Sequence, residues 1–522
     1  MASLVSDPKI DDLLVLIEEV MRATNEGVRR FIEPAPGVLA RAKSSQHHMI
    51  FGRRGSGKSS LLRKTAADLT VDRRPIAFVD METFKTHTYP DVLISVLIKS
   101  LREFDGWLRD AATTTAAKRS FWQKYFGTSP TRPPLSRAPV TDLRNRLAEM
   151  IRGLEAELHK PETVTVKKKV EVSNSTKAEA EASLGILSEF VNVGGVIERK
   201  RDHATRDEET SDYVSHKVEY LHQHILEFQR FFNDLAAASG GPSFLVLDDL
   251  YHIRRSDQPK VLDYFHRVAK GNSLWLKIGT IKHRSEWYVH GSPPVGIKLG
   301  DDANEINLDV TLEKYATCKA FLLQILDQLI KEKTDCSAKS LMNEGAVDRL
   351  VLASGGVARD LIGIFGSAIR FARDRDPSRP PGPRVGVEDV NKASGEYDTN
   401  KREEFKLDSA DDRAVLEDRF NAITGFCRTN GKCNVFLVAQ RASGPSKDQL
   451  DQLIDLRLIH LVRARVSVKS NRPGEIYEAY MLDLSQYTAS RKIHDFHVID
   501  LSSAEAAEQM RRSSLIYDLS SP

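Results

Sequence analysis

The sequence lacks any run of about 18 consecutive apolar residues, the length a helix needs to cross a bilayer. No membrane span is therefore expected. Its first residues, MASLVSDPKIDDLL, carry no basic stretch followed by an apolar core. No secretory leader is expected, and the expected location is the cytoplasm. Cysteine is scarce: Cys318, Cys336, Cys427 and Cys433 form no CxxC pair and have no histidine cluster beside them. That argues against a disulfide framework or a structural zinc site, and for free, mostly buried thiols in a reducing compartment. An excess of one charge is also missing. The net charge is +3, so the whole-chain balance does not require a nucleic-acid partner, and any basic surface must be local.

What is present suffices for ordinary cores. The 522 residues are 41% hydrophobic and 29% charged, and the length fits two to four domains. Leu13, Leu14, Ile17, Val20, Met21 and Val28 recur at helical spacing, which predicts a helix over 8–33 ended by Pro34 and Pro36. A strand (His48 to Phe51), a glycine loop, a helix (Ser59 to Leu69), a strand (Ile76 to Asp80) and a helix (Tyr89 to Phe104) follow. That alternation predicts a parallel sheet with helical crossovers. From about 105 to 210 the rhythm breaks: a polar linker (Thr128 to Pro139), a charged helix (Thr141 to His159) and an alternating Val164, Val166, Val170, Val172 segment read as an insertion. A long amphipathic helix from Val214 to Leu235 comes next, and apolar strands resume at 244–247 and 274–279. Uninterrupted apolar runs suit strands covered on both faces.

The loop Gly52-Arg53-Arg54-Gly55-Ser56-Gly57-Lys58-Ser59, followed by Ser60, fits G-x-x-x-x-G-K-[ST] in full. Glycines let backbone N–H groups converge on phosphate oxygens without a Cβ in the way. The helix that follows adds its N-terminal dipole. Lys58 places a cation on the β- and γ-phosphates, and the Ser59 hydroxyl is the expected magnesium ligand. The partner is Phe244-Leu245-Val246-Leu247-Asp248-Asp249. Asp248, at the end of a buried strand, is placed to hold the magnesium shell, and Asp249 to orient the attacking water. ATP with Mg2+ is thus the expected ligand, although no guanine-selective motif is required and GTP stays open.

With these motifs in order, the chain resembles the AAA+/STAND branch of P-loop NTPases, most of all the origin-recognition (replication-initiator) group and its bacterial relatives. The resemblance covers about 35–105 and 240–490, and 105–210 has no counterpart in it. It implies a three-layer P-loop core with a parallel sheet, a helical lid and a C-terminal winged helix. The implied division is 1–34, an N-terminal helical segment; 35–310, the core; 311–403, the lid; and 404–522, the winged helix and tail. It also implies Thr280 as a polar sensor. Gly355-Gly356-Val357-Ala358-Arg359-Asp360-Leu361 matches a second sensor motif, with Arg359 as its arginine. A finger arginine from a neighbouring subunit, Arg284 or Arg267, is implied as well, and with it self-association. The family's usual acid at the position of Asp249 is Glu. The shorter side chain predicts slow hydrolysis, suited to a switch.

From about 405 a helix, a strand, a second helix (Ser446 to Leu456) and a hairpin (Leu461 to Val468, Ile476 to Leu484) follow. Arg457, Arg463, Arg465, Lys469 and Arg472 cluster there, and Arg463, Arg465, Lys469 and Arg472 are the candidate DNA contacts. Between 446 and 475, however, six Lys and Arg face four Asp and Glu, a weak field for phosphate binding. Two functions stay open: an initiator-like ATPase that binds DNA, or a signalling ATPase of a bacterial antiviral defence system that acts on an effector protein.

Overall fold

The computed structural model describes residues 7–519 apart from 23, 25, 113–134, 161–215, 376–383, 409–412, 469–474, 489–494, 504 and 513–514. The expected valine hairpin at 164–172 and most of the linker lie outside the described residues. Among the described residues no helix is long and apolar enough to cross a membrane.

Five parallel strands form the central sheet: β1 (His48–Phe51), β2 (Ile76–Asp80), β3 (Ser243–Asp248), β4 (Leu274–Thr280) and, further along the chain, β7 (Asn304–Asn307), in the order β2-β3-β4-β1-β7. Two short strands, β5 (Tyr288–Val289) and β6 (Val295–Gly296), form a separate hairpin between β4 and β7. Successive side chains leave a strand on opposite faces. Met49, Phe51, Val79, Leu245, Leu247 and Ile278 enter one core cluster, while Ile50, Phe244, Val246 and Ile306 enter another. Helices α1 (Pro8–Val20), α2 (Val38–Lys43), α3 (Lys58–Val71), α4 (Asp91–Ala112), α5 (Arg137–Leu158), α6 (Ile225–Ser239) and α7 (Gln258–Ala269) precede the last sheet strand. Leu61, Leu62, Ala66 and Leu69 of α3 cover the second face, and α4 to α7 supply the first. This is the three-layer α/β fold of P-loop NTPases. Helix α5 lies in the expected insertion, yet its Val140, Leu143, Leu147 and Leu154 are buried in the core cluster with α4. That part of the segment belongs to the core.

One strand, β4, separates β1 from β3. At strand spacing, the loops leaving those two strands stand about 10 Å apart. That gap at the C-terminal sheet edge is where an α/β sheet opens a crevice.

The lid comprises α8 (Tyr315–Lys333), α9 (Glu344–Ser354), α10 (Ala358–Asp374) and α11 (Val387–Asp408). Helix α11 runs unbroken across the expected boundary at 403–404. The predicted helix over 8–33 is shorter. It stops at Val20, and a separate 3-10 turn covers Glu26–Arg30, with the Gly27 N–H donating to Thr24 Oγ1. Ile10, Leu13, Leu16 and Ile17 of α1 pack into the lid cluster.

Beyond the lid lie α12 (Arg413–Phe426), β8 (Val435–Ala439), α13 (Pro445–Asp455), β9 (Ile459–Ser467), β10 (Ile476–Leu482) and α14 (Ala506–Arg512). The expected helix–strand–helix–hairpin order folds as an antiparallel sheet β8-β10-β9, and one helix, α13, fills the connection from β8 to β9.

Candidate functional site

A cavity of about 720 Å³ lies between core and lid, within the usual range for a small-molecule site. Its lining includes polar and charged residues, Arg54 to Ser60 of the loop, Glu82, Asp249, Tyr251, His252 and Arg359, and apolar ones, among them Val20, Met21, Val28, Phe31, Phe321 and Ile325. Of the loop, Arg54 to Ser60 line the cavity and Gly52 and Arg53 do not, with Gly55 at φ +84 and Gly57 at φ +98. At Gly55 a Cβ would stand 2.8 Å from the Cβ of Arg359. Only glycine lets the lid arginine approach this closely, and the Arg359 N–H donates to the Gly55 carbonyl at 3.3 Å.

Lys58 is buried and folds back on its own loop, donating to the carbonyls of Gly52 (2.9 Å) and Arg53 (3.2 Å). Burial pulls its ammonium below the ordinary lysine range, and Asp249 and Asp248 oppose that. Asp248 ends β3 and is buried. Burial, then the neighbouring Asp249 carboxylate, push its pKa up to about 7, against a hydrogen bond from Ser59 and the charge of Lys58. Its Oδ1 is buried without a partner, as is the Ser56 hydroxyl. Asp249 sits at φ 55, a left-handed conformation that costs a non-glycine residue of order 1 kcal/mol and clusters at functional sites. Its pKa is also raised, by burial first, with Lys58 pulling it back.

These residues fit magnesium. Among the described residues no group of three or more His, Cys, Asp or Glu could cage a metal unaided. An orphaned carboxylate oxygen beside a serine hydroxyl suits an ion that takes its other ligands from phosphates and water.

Other predicted residues fall elsewhere. Arg53 is 4% exposed and turns away from the cavity: its N–H and Nε reach Asp309 Oδ1 (2.8 and 3.3 Å), and Nη2 reaches the carbonyls of Val310 (3.3 Å) and Gly355 (3.1 Å). Thr280 ends β4 and is buried, with its hydroxyl paired to that of Ser285, and it does not line the cavity. The Arg284 guanidinium lies 5.3 Å from the centre of the Tyr251 ring, a wall of the same chain's cavity. Arg267, on α7, reaches Asp263 (3.9 Å) and His222 (3.4 Å) within its own chain.

Of the basic cluster near the C-terminus, Arg465 is exposed on β9 and Arg463 half-buried, while Lys469 and Arg472 lie outside the described residues. Arg457, in the same stretch but not among the candidate DNA contacts, is 3% exposed and pairs with Asp360. Helix α13 is docked as well. Leu450 and Leu453 are buried, Asp451 faces His283 at 3.8 Å, and only Pro445 and Asp448 of the helix are exposed.

Asp455, at the end of α13, is 6% exposed, and its Oδ2 has no partner. Burial, then Asp309, push its pKa up to about 8, against Arg53. The raised value means that folding favours the protonated form. This contribution is intact below about pH 4 and is lost as pH rises towards 8, at up to about 1.4 kcal/mol per pH unit. Asp455→Asn should flatten that loss. Urea midpoints of wild type and variant are expected to diverge between pH 5 and pH 8, and parallel curves would contradict the assignment.

No local pattern of residues signals a second group of charges. Asp360, Lys401, Arg457, His460 and Asp483 are each at most 4% exposed. Lys401 Nζ lies 2.8 Å from Asp483 Oδ2 and 3.4 Å from Asp360 Oδ2, His460 Nε2 lies 3.1 Å from Asp483 Oδ2, and Arg457 pairs with Asp360. Two carboxylates balance two cations. Burial alone would lower the Lys401 pKa, but Asp483 and Asp360 outweigh it and hold it raised. The same contest leaves Asp483 well below the ordinary carboxylate range. His460 is lowered by burial, with Asp483 opposing.

No family model and no curated protein matches the chain. Among solved structures it is similar to the Aeropyrum pernix ORC1 protein in complex with DNA, at 12% identity, with 95% of this chain and 98% of that one covered and a TM-score of 0.34. It is likewise similar to a Walker-type ATPase of Pyrococcus abyssi, at 12% identity, 90% and 96% covered, TM-score 0.36. Cdc6p of Pyrobaculum aerophilum aligns at 12% identity, 99% and 97% covered, TM-score 0.31. Likenesses this distant leave the chemistry to the geometry of the site itself.

Proposed function

We propose that the chain binds Mg·ATP in the cavity between core and lid, and that it is a slow ATPase acting as a switch. One observation carries this: a phosphate loop, an acidic residue just past the end of β3 and a lid arginine all line one cavity. In this reading the loop N–H groups and Lys58 hold the phosphates, and Asp248 and Ser59 hold magnesium, which supplies charge neutralisation at the phosphates. Asp249 orients the water. It is a methylene shorter than glutamate, so water is held less well and turnover is slow. Arg359 reaches the phosphates from the lid and ties nucleotide state to lid position. Phosphate release by wild type, Asp248→Ala and Asp249→Ala tests the assignment. Loss of turnover is expected in both variants, and unchanged turnover in Asp249→Ala would remove its role.

For the partner, docking of α13 favours a signalling ATPase that acts on an effector protein over an initiator that reads DNA. The exposed residues of that helix are Pro445 and Asp448, neither of them a cation or an amide that could hold a phosphate or read a base edge in a major groove. ATP-dependent self-association without a salt-dependent DNA shift is the expected outcome for the full chain. A shift that weakens steeply with salt would favour the DNA reading.

A further inference from the structure

Arg53 is the first variable residue of the phosphate loop, yet no atom of it lines the cavity. Its side chain instead starts a circuit of contacts. The guanidinium holds the Gly355 carbonyl at 3.1 Å. Gly355, at φ +57, lies flat against His460: a Cβ there would stand 2.1 Å from the ring. His460 holds Asp483, Asp483 holds Lys401, and Lys401 faces Asp360. Asp360 directly follows Arg359, whose N–H returns to the loop at Gly55. The circuit leaves the phosphate loop, crosses the lid and the C-terminal sheet, and comes back to the same loop.

We propose that Arg53 is a positioning residue that transmits occupancy of the phosphate loop to the C-terminal unit, through Gly355 and His460. The inference rests on the nucleotide reading above and names the regulation of that site. Lys58 now occupies the carbonyls of Gly52 and Arg53. A bound triphosphate draws the ammonium towards its own oxygens and frees the Arg53 carbonyl. The Arg53 N–H and Nε are pinned to Asp309, so a shift of this residue's backbone passes into the planar guanidinium and on to Gly355. A fork with fixed donor geometry transmits such a shift better than a flexible ammonium does. At the far end, close packing leaves the His460 ring little room to absorb it. Behind His460 two buried carboxylates pair with two buried cations, which fixes the far side of the ring against the C-terminal unit.

Hydrogen exchange of the full chain, with and without Mg·ATP, tests this when paired with calorimetric ATP titration. In wild type, ATP should change protection across Ile459–Leu482 of β9 and β10. In Arg53→Met the stem is kept and the donors are removed. It should still bind ATP but lose most of that response, about a fivefold reduction. Arg53→Lys, which keeps a cation beside Asp309 without the fork, serves if Arg53→Met does not fold. A response of wild-type size in a variant that binds ATP overturns the inference and leaves the nucleotide site standing. Failure of wild type to bind ATP overturns both. Reciprocity supplies an independent reading: His460→Ala, remote from the cavity, should change the ATP Kd about threefold or more in wild type and much less in Arg53→Met. Equal effects in the two backgrounds would show a merely structural role.

Discussion

Lys58→Ala is expected to bind Mg·ATP at least about 100-fold more weakly than wild type, roughly 3 kcal/mol. The lysine is 5% exposed and stands among Asp248, Asp249 and the loop carbonyls. In so dry a place a charge-assisted contact with a phosphate is worth more than at a surface. Truncation also leaves two adjacent carboxylates facing the phosphates with no ammonium between them. Calorimetric titration measures the loss, and a thermal melt shows that the variant is folded. Affinity equal to wild type would refute the assignment of the loop.

Asp360→Ala should be the most damaging single substitution outside the cavity, destabilising by about 3–5 kcal/mol. Asp360 is 0% exposed, and it faces both Arg457 and Lys401. Its removal leaves two buried cations against one carboxylate. A domain's whole stability is about 5–15 kcal/mol, so lid and C-terminal unit should unfold at much lower denaturant. Replacing Asp360, Lys401 and Arg457 together with apolar residues of similar size should be far less harmful, because no charge is then stranded. Urea midpoints followed by circular dichroism decide it. A loss below about 1 kcal/mol for Asp360→Ala would mean that water reaches the joint.

The features written into short local stretches were legible. Gly52 to Ser59 needs a fixed residue order to fold as a cradle, and the apolar runs of β1, β3 and β4 need both faces covered, so the local sequence alone exposes them. The apolar part of the cavity lining was not legible. Val20, Met21, Val28 and Phe31 look like any core residues, and it is the end of α1 at Val20 that goes with their place in the cavity lining. Charges are read as surface by default, which concealed Lys401, Asp483 and Arg457. Lys277 is hidden in the same way. It lies fully buried in the middle of β4, donating to the carbonyls of Ser44 (2.7 Å) and Gln46 (2.8 Å), with His48 Nδ1 at 2.9 Å. Partners 229 to 233 residues away in sequence leave no local mark. Docking of α13 was hidden for the opposite reason: its pattern of Leu450 and Leu453 suits a buried seam whichever surface it meets.

Helix α11 is 22 residues long, which makes a rod of about 33 Å. Near its start Asp389 is clamped by Arg375 of the lid, and further on Lys401 and Arg402 are clamped by Asp483 and Gln486. A beam fastened in two bodies removes their independent swing. A tilt of about five degrees at the lid end would sweep the far end by about 3 Å along that length, so a small adjustment over the phosphates becomes a displacement large enough for another macromolecule to feel.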